Sequence, residues 1–366
     1  MPDGRDAEKL LGEKLGSETR RGVWISDTFR FAIRIMGIMK VAPSDGSKKD
    51  DAPMLHKTVC SVQFWAMLLL TAQQTGMPLL VREVNKQSSF LPTTSVFMME
   101  LIRLLTCSII ISINLRSPLK FANEFRATVW QNKVETAKVC VPAVVYAIQN
   151  NLYYVALANI DATTYAVTYQ LRILTTALLS VLLLSKRLSG LQWAALFVSM
   201  SGVVLVQLDG ATSVSNARGN WLLGIGAVFS MCWTSAFAGV YFEKMLKKSS
   251  VDVWMQNIRL SMLTAPFAFA TMFASDFSKI QEGGFFQGWT PLVWLMTILN
   301  AFGGLVVSIV MKYADNVKKT YCQTVAIGLT ALLSVYLGDV LLSLQLTAGV
   351  CLVMISGFHI PPPKNP

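Results

Sequence analysis

YAIQNNLYYVALANIDATTYAVTYQLRILTTALLSVLLLSKRLSGLQWAALFVSMSGVVLVQ, residues 146–207, is the stretch whose reading decides the fold. Two apolar, helix-length runs meet here across a four-residue turn at 159–162, and both carry polar groups at depth. Arg172 lies midway along the second run, roughly 13 Å from its start at 1.5 Å per residue. A cation at that depth in a bilayer costs roughly 2.5–3.5 kcal/mol on the lenient insertion scale. A chain that accepts such a cost usually supplies an anionic partner for the charge. No carboxylate sits at comparable depth on the neighbouring runs 137–158 and 163–184, or on the later run 253–274. The stretch therefore points to a membrane carrier of something negatively charged.

Composition agrees. Of 366 residues, 53% are apolar and 14% charged, and mean hydropathy is +0.48, whereas a soluble domain carries about 25% charge. Apolar runs of about 20 residues recur, the signature of a polytopic helical membrane protein. The net charge of +11 does not imply nucleic acid, because the cations fall in short loops where they set topology. The six cysteines are scattered singly with no CxxC, and two histidines stand at run edges. This excludes a disulfide framework, histidine catalysis and a histidine-rich metal site, and implies no cofactor.

Ten membrane helices are expected, at 58–80, 91–113, 137–158, 163–184, 191–208, 220–242, 253–274, 291–311, 321–338 and 340–360, making an all-α integral membrane protein. The polar segment 1–57 reads as a cytosolic tail. Within it, 25–39 is either a short amphipathic surface helix or disordered, and 43–53 reads as a flexible linker. Residues 361–366 form a short C-terminal tail. Twelve Lys and Arg fall in the loops after the second, fourth, sixth and eighth runs, against four in the alternate loops. That asymmetry puts both termini in the cytosol.

The halves resemble each other. TALLSV occurs at 176–181 and again at 330–335, and at the same offset of 154 residues Asp161 matches Asp315. Two five-helix units, 58–208 and 209–360, would be related by inversion, the architecture suited to alternating access.

Polar residues form stripes. Tyr165, Tyr169, Arg172 and Thr176 follow 4-3-4 spacing on one helix face, Tyr146, Asn150 and Tyr153 share another, and Asn257, Ser261 and Thr264 a third. Each such side chain needs a partner from another helix, water or a ligand. Glu100 and Arg103, spaced i,i+3, can pair with each other as a structural or a coupling ion pair. Lys312 closes the eighth run, either snorkelling to the surface or reaching back as a second cation. Arg supplies a fixed fork of donors for phosphate, while amides and phenols suit a base or sugar. The residues alone point to an organic phosphate or another polyfunctional organic anion.

The segment 149–193, QNNLYYVALANIDATTYAVTYQLRILTTALLSVLLLSKRLSGLQW, resembles the nucleotide-sugar transporters of the drug/metabolite transporter superfamily. So do FAGVYFEKMLKKSS (237–250), GFFQGWTPLVW (284–294) and GGLVVSIVMKYADNVKK (303–319). The resemblance covers about 58–360 and is nearest to UDP-galactose and UDP-N-acetylglucosamine carriers, with CMP-sialic acid carriers next. It implies ten helices in two inverted five-helix repeats, no enzyme activity, and a Golgi membrane, with the endoplasmic reticulum as the other candidate. It also implies exchange of a cytosolic nucleotide sugar for a lumenal nucleoside monophosphate; self-association as a homodimer is left open. By position, Tyr146, Asn150, Tyr165 and Arg172 correspond to residues that contact nucleotide and phosphates. Lys312 is the lysine of the KYxDN motif, and Asn257 matches an asparagine near the base. Two departures stand out. Arg172 replaces the family's usual Lys, and Ser261 stands where CMP-sialic acid carriers have Tyr and UDP-sugar carriers have Gly, which favours a UDP-sugar. The class that competes is a membrane-embedded transferase, but the segment 275–290 offers only Asp276 and Glu282 as acids and no histidine.

Overall fold

The computed structural model describes residues 52–209, 220–249, 251–338 and 343–358. The tail before residue 52, including the stretch 25–39, and the tail 361–366 lie outside the described residues. Among the described residues all regular structure is helical. In chain order the helices are α1 (Ala52–Gln87), α2 (Pro92–Leu115), α3 (Pro118–Phe125), α4 (Lys133–Asn159), α5 (Ala162–Tyr169), α6 (Arg172–Leu184), α7 (Gly190–Asp209), α8 (Trp221–Lys248), α9 (Val253–Gly283), α10 (Pro291–Tyr313), α11 (Asn316–Tyr336) and α12 (Leu344–Phe358). A π-helical turn, Arg126–Gln131, joins α3 to α4. The chain forms two compact units, Met1–Trp65 and Ala66–Pro366, and α2 to α12 belong to the second.

Among the described residues seven helical spans are long and apolar enough to cross a membrane: Val62–Gln87, Pro92–Leu115, Thr164–Leu184 (α5 and α6 together), Gly190–Leu208, Trp221–Lys248, Val253–Gly283 and Pro291–Tyr313. Helix α12 is apolar but only 15 residues long. Helices α4 and α11 carry charges in their opening turns, Glu135 and Lys138 in one and Lys318 and Lys319 in the other. The runs expected from sequence fall on helices among the described residues, but α1 (Ala52–Gln87) reaches into both the expected tail and the loop expected after residue 80, and two further differences stand out. Helix α9 continues to Gly283 rather than stopping at 274, because no breaker interrupts the polar residues after Phe273. It ends where Gly284 takes φ +80°, a conformation that disfavours a side chain. The expected loop carboxylate Asp276 is therefore helical, accepting from Thr93 at 2.7 Å and pairing with Lys279 at 2.8 Å. The second difference is that the run 163–184 is not one helix.

Local rules explain the ends. Asp161 caps α5 by accepting from the Thr164 N–H at 2.8 Å, and Asp315 caps α11 by accepting from the Lys318 N–H at 2.7 Å. Proline begins α2, α3 and α10, where its missing N–H is not needed.

The bundle is held by close helix pairs. Helices α2 and α9 pack together, as do α4 and α8, α6 and α8, and α7 and α12. Val139 and Ala143 of α4 meet Phe242 and Leu246 of α8, and Ile173 and Ala177 of α6 meet Val317 of α11. Met77 and Val84 of α1 meet Val293 and Met296 of α10. Gly202 of α7 and Gly349 of α12 face each other: a Cβ on either would lie 2.7 Å from the other's carbonyl oxygen. Small residues permit this approach of two backbones.

Candidate functional site

The interruption between α5 and α6 shapes the centre of the site. Gln170 and Leu171 leave the α-helix, and the N–H groups of Gln170, Leu171 and Ile173 bond to carbonyls three residues back, at 3.1, 3.1 and 2.9 Å. This tightened turn frees carbonyls that cannot stay bare in an apolar medium. The Gln170 side chain donates to the Ala166 carbonyl at 3.1 Å. From α8, the Cys232 thiol donates to the Tyr169 carbonyl at 3.6 Å, and Thr175 donates back to the Cys232 carbonyl at 3.3 Å. Helix α8 thus braces the break.

Around the break the phenols of α4 and α5 assemble. Tyr165 stacks on Tyr169 with centroids 5.5 Å apart and meets Tyr153 edge-on at 5.3 Å. The Tyr169 hydroxyl accepts from Gln149 at 3.2 Å and donates to Ser235 at 3.2 Å. Arg172, the first residue of α6, places its guanidinium carbon 4.8 Å from the Tyr169 ring centroid, a cation–π contact. Its Nε is buried with no hydrogen-bond partner. The same side chain lines a cleft of about 350 Å³ with Gln74 and Pro78 of α1 and Gln323, Ile327 and Thr330 of α11. Tyr146 is half-buried on α4 and interacts electrostatically with both Tyr169 and Arg103. The Asn150 side chain lies outside the described residues.

A second group lies where α2, α9 and α10 meet. Arg103 and Glu100 form a 2.9 Å ion pair, and Thr264 of α9 donates to Glu100 at 2.9 Å. Gly304 of α10 lies against the Arg103 guanidinium, and any side chain there would displace it. Asn257 is already engaged: its amide donates to the Val253 carbonyl at 2.9 Å and accepts from Ser308 of α10 at 2.9 Å. Ser261 is fully buried, and its hydroxyl has no partner among the described residues. The expected stripe 257–261–264 therefore faces α2 and α10, with its ends in interhelical bonds and its middle unsatisfied. Lys312, half-buried at the end of α10, interacts with Asp252 just ahead of α9. Burial pushes the Asp252 carboxyl above the usual carboxylate range, and Lys312 works against that shift.

Sequence reasoning missed three features. Glu243 of α8 is fully buried and ties one end of the bundle together. It pairs with Lys186 and Lys247 at 2.7 Å each and accepts from the Asn316 N–H at 2.9 Å, while Lys186 approaches Asp315 at 3.8 Å. Arg259 of α9 is fully buried, donating to the Thr128 carbonyl and, at 3.4 Å, to Gln256. A cation six residues inside an apolar run was the available signal, the same one that marked Arg172. Lys319 interacts with both Arg172 and Glu243. Among the described residues no cluster of His, Cys, Asp or Glu could hold a metal ion.

Comparison with known proteins places this arrangement. A family model described as nucleotide-sugar transporter matches residues 58–360. The chain is 37% identical over 321 residues to the UDP-N-acetylglucosamine/UDP-N-acetylgalactosamine transporter nstp-4 of Caenorhabditis elegans, covering 83% of this chain and 94% of that one. It is 36% identical over 319 residues to the UDP-N-acetylglucosamine transporter of Homo sapiens, covering 84% and 98%. It is 38% identical over 281 residues to the UDP-galactose translocator of Mus musculus, covering 75% and 72%. One solved crystal structure shares the fold at a TM-score of 0.59 with 15% identity, over 81% of this chain and 95% of the other. The named relatives are transporters or translocators, not enzymes. With a family match from end to end of its apolar region, this chain is a multi-pass membrane protein of the nucleotide-sugar transporter family.

Proposed function

We propose that the protein is an antiporter that carries a UDP-sugar, UDP-N-acetylglucosamine or UDP-galactose, from the cytosol into the Golgi lumen in exchange for UMP. The observation that carries this reading is Arg172: a cation at a helix break, with an aromatic face on one side, a cleft on the other and an unpartnered Nε. Discontinuous helices that hold charged groups near the midplane are how membrane carriers seat polar cargo. The start of α6 adds the positive end of its helix dipole to the guanidinium. Phosphates bind there, the nucleoside lies along Tyr146, Asn150, Tyr165 and Tyr169, and Asn257, Ser261 and Lys312 complete the binding surface.

Ten crossings in two inverted units, 58–208 and 209–360, with both termini cytosolic, complete the account. In this scheme α1 corresponds to α8, α2 to α9, α4 to α10, the α5–α6 pair to α11, and α7 to α12. Several packing pairs support it. The α2–α9, α6–α11 and α7–α12 pairs are each their own counterpart, and α4–α9 answers α10–α2. The α4–α8 contact answers the α1–α10 core. The capping aspartates Asp161 and Asp315 fall at equivalent helix starts. Alternating access then rocks one unit against the other about the fixed site.

The UDP preference rests on the three relatives' cargo and on the small side chain at Ser261. Thermal unfolding with added nucleotide tests it. A ligand at 100 times its dissociation constant stabilises by about 2.7 kcal/mol, so UMP should raise the midpoint more than CMP does. A response to CMP and not UMP would leave a CMP-sialic acid carrier as the better reading.

A further inference from the structure

We propose that the cleft beside Arg172 seats the sugar of the nucleotide sugar, with Gln74 and Gln323 as its hydrogen-bonding walls. This rests on the UDP-sugar reading above and adds the sugar subsite to it. Arg172 belongs to two surroundings at once, the tyrosines of α4 and α5 and a cleft between α1 and α11 that contains none of those tyrosines. In a UDP-sugar the diphosphate lies between nucleoside and hexose. With phosphate on the guanidinium and the nucleoside on the aromatic side, the hexose falls into the cleft.

The lining suits a neutral sugar. Hexose hydroxyls both donate and accept, and so does each carboxamide. Gln323 makes no hydrogen bond among the described residues. Gln74 uses one N–H, donating to Gln73 at 2.7 Å, which leaves its other N–H and its carbonyl oxygen. Pro78, Ile327 and Ala331 provide apolar walls for the C–H faces of a pyranose ring. Apart from Arg172 the lining holds no charge, which suits a neutral sugar. At about 350 Å³ the cleft lies at the small end of ligand pockets, roughly 300–1,000 Å³, room for one part of a nucleotide sugar.

Gly303 makes room for the arrangement. A Cβ there would lie 2.5 Å from the Gln73 amide nitrogen, so the glycine opens the seat that Gln73 occupies, and Gln73 in turn orients Gln74. The Gly303–Gly304 pair thus admits polar side chains from α1 and α2 instead of serving helix packing alone.

The test uses the purified full chain, titrated with UMP, UDP-N-acetylglucosamine and UDP-galactose and followed by thermal shift or calorimetry. Wild-type binding of UMP and a UDP-sugar tests the functional reading by itself. Given that binding, Gln323→Leu and Gln74→Leu should each weaken the UDP-sugar about tenfold, the size of one lost hydrogen bond, and leave UMP within twofold. Gln323→Asn and Gln74→Asn, which keep the amide but withdraw it by one methylene, should give the same split and serve where the Leu variants fold poorly. Equal weakening of UMP and UDP-sugar, or no change in either, overturns the sugar assignment and leaves the transport reading standing.

Discussion

Arg172 joins an aromatic group to an open cleft, and its substitution has a definite expectation. Arg172→Ala should weaken UMP binding by roughly 10- to 150-fold, the range of a lost charged hydrogen bond, while expression in the membrane persists because a midplane charge is removed. Arg172→Lys should keep part of the binding, since it preserves charge but not the fork of donors. Nucleotide titration of the purified variants checks both. Ser261 offers a second test: a tyrosine there must fill a fully buried position, and packing differences of this kind are worth roughly 1–3 kcal/mol. Ser261→Tyr should narrow or reverse the preference for UMP over CMP in thermal shift, and Ser261→Gly should keep it. The stripes that nominated these residues were legible because they need only helical spacing. Their partners were not. That Thr264 reaches Glu100, and Asn257 reaches Ser308, depends on which helices adjoin. Glu243 was missed for a related reason, since beside Lys244, Lys247 and Lys248 it reads as solvated loop charge, yet it is fully buried.

At the scale of elements, helix positions were written plainly in the apolar runs, while the interruption of one helix was not. The sequence TYQLRIL contains neither Gly nor Pro, so nothing local marks the turn at 170–171. The compensation comes from another helix, through the Cys232 thiol of α8, and a single-run reading has no access to it. The overlong α9 has the opposite cause: hydropathy ends near 274, but backbone hydrogen bonding continues until Gly284 stops it. Close pairs of helices carry their own prediction. Gly349→Leu drives a side chain into the backbone of α7 and should destabilise the bundle by about 1–3 kcal/mol in thermal unfolding. Gly226→Ala, which meets nothing within 4 Å, should be neutral or stabilise by up to about 1 kcal/mol.

For the molecule as a whole, the ion cluster on Glu243 and the break at Arg172 have complementary parts. Glu243 joins α8 to the α6–α7 connection through Lys186 and to the start of α11 through Asn316. Under the inverted-repeat account Lys186 belongs to the first unit and Glu243 and Asn316 to the second, so the Lys186 link must loosen whenever that end opens. Glu243→Ala removes the carboxylate shared by two lysines, and breaking a buried pair from one side costs about 3–5 kcal/mol. A lowered unfolding midpoint, with the UMP-induced shift retained, is expected. The proposed inverted relation draws in part on sequence, through the TALLSV repeat and the aspartates at 161 and 315. The packing pairs that support it could be seen only once the chain was folded. Exchange is the most direct test of the central claim. Proteoliposomes containing the purified protein are preloaded with UMP, with CMP or with buffer, and uptake of labelled UDP-N-acetylglucosamine and UDP-galactose is timed. The account predicts uptake several-fold faster into UMP-loaded vesicles than into empty or CMP-loaded ones; equal rates in loaded and empty vesicles would contradict it.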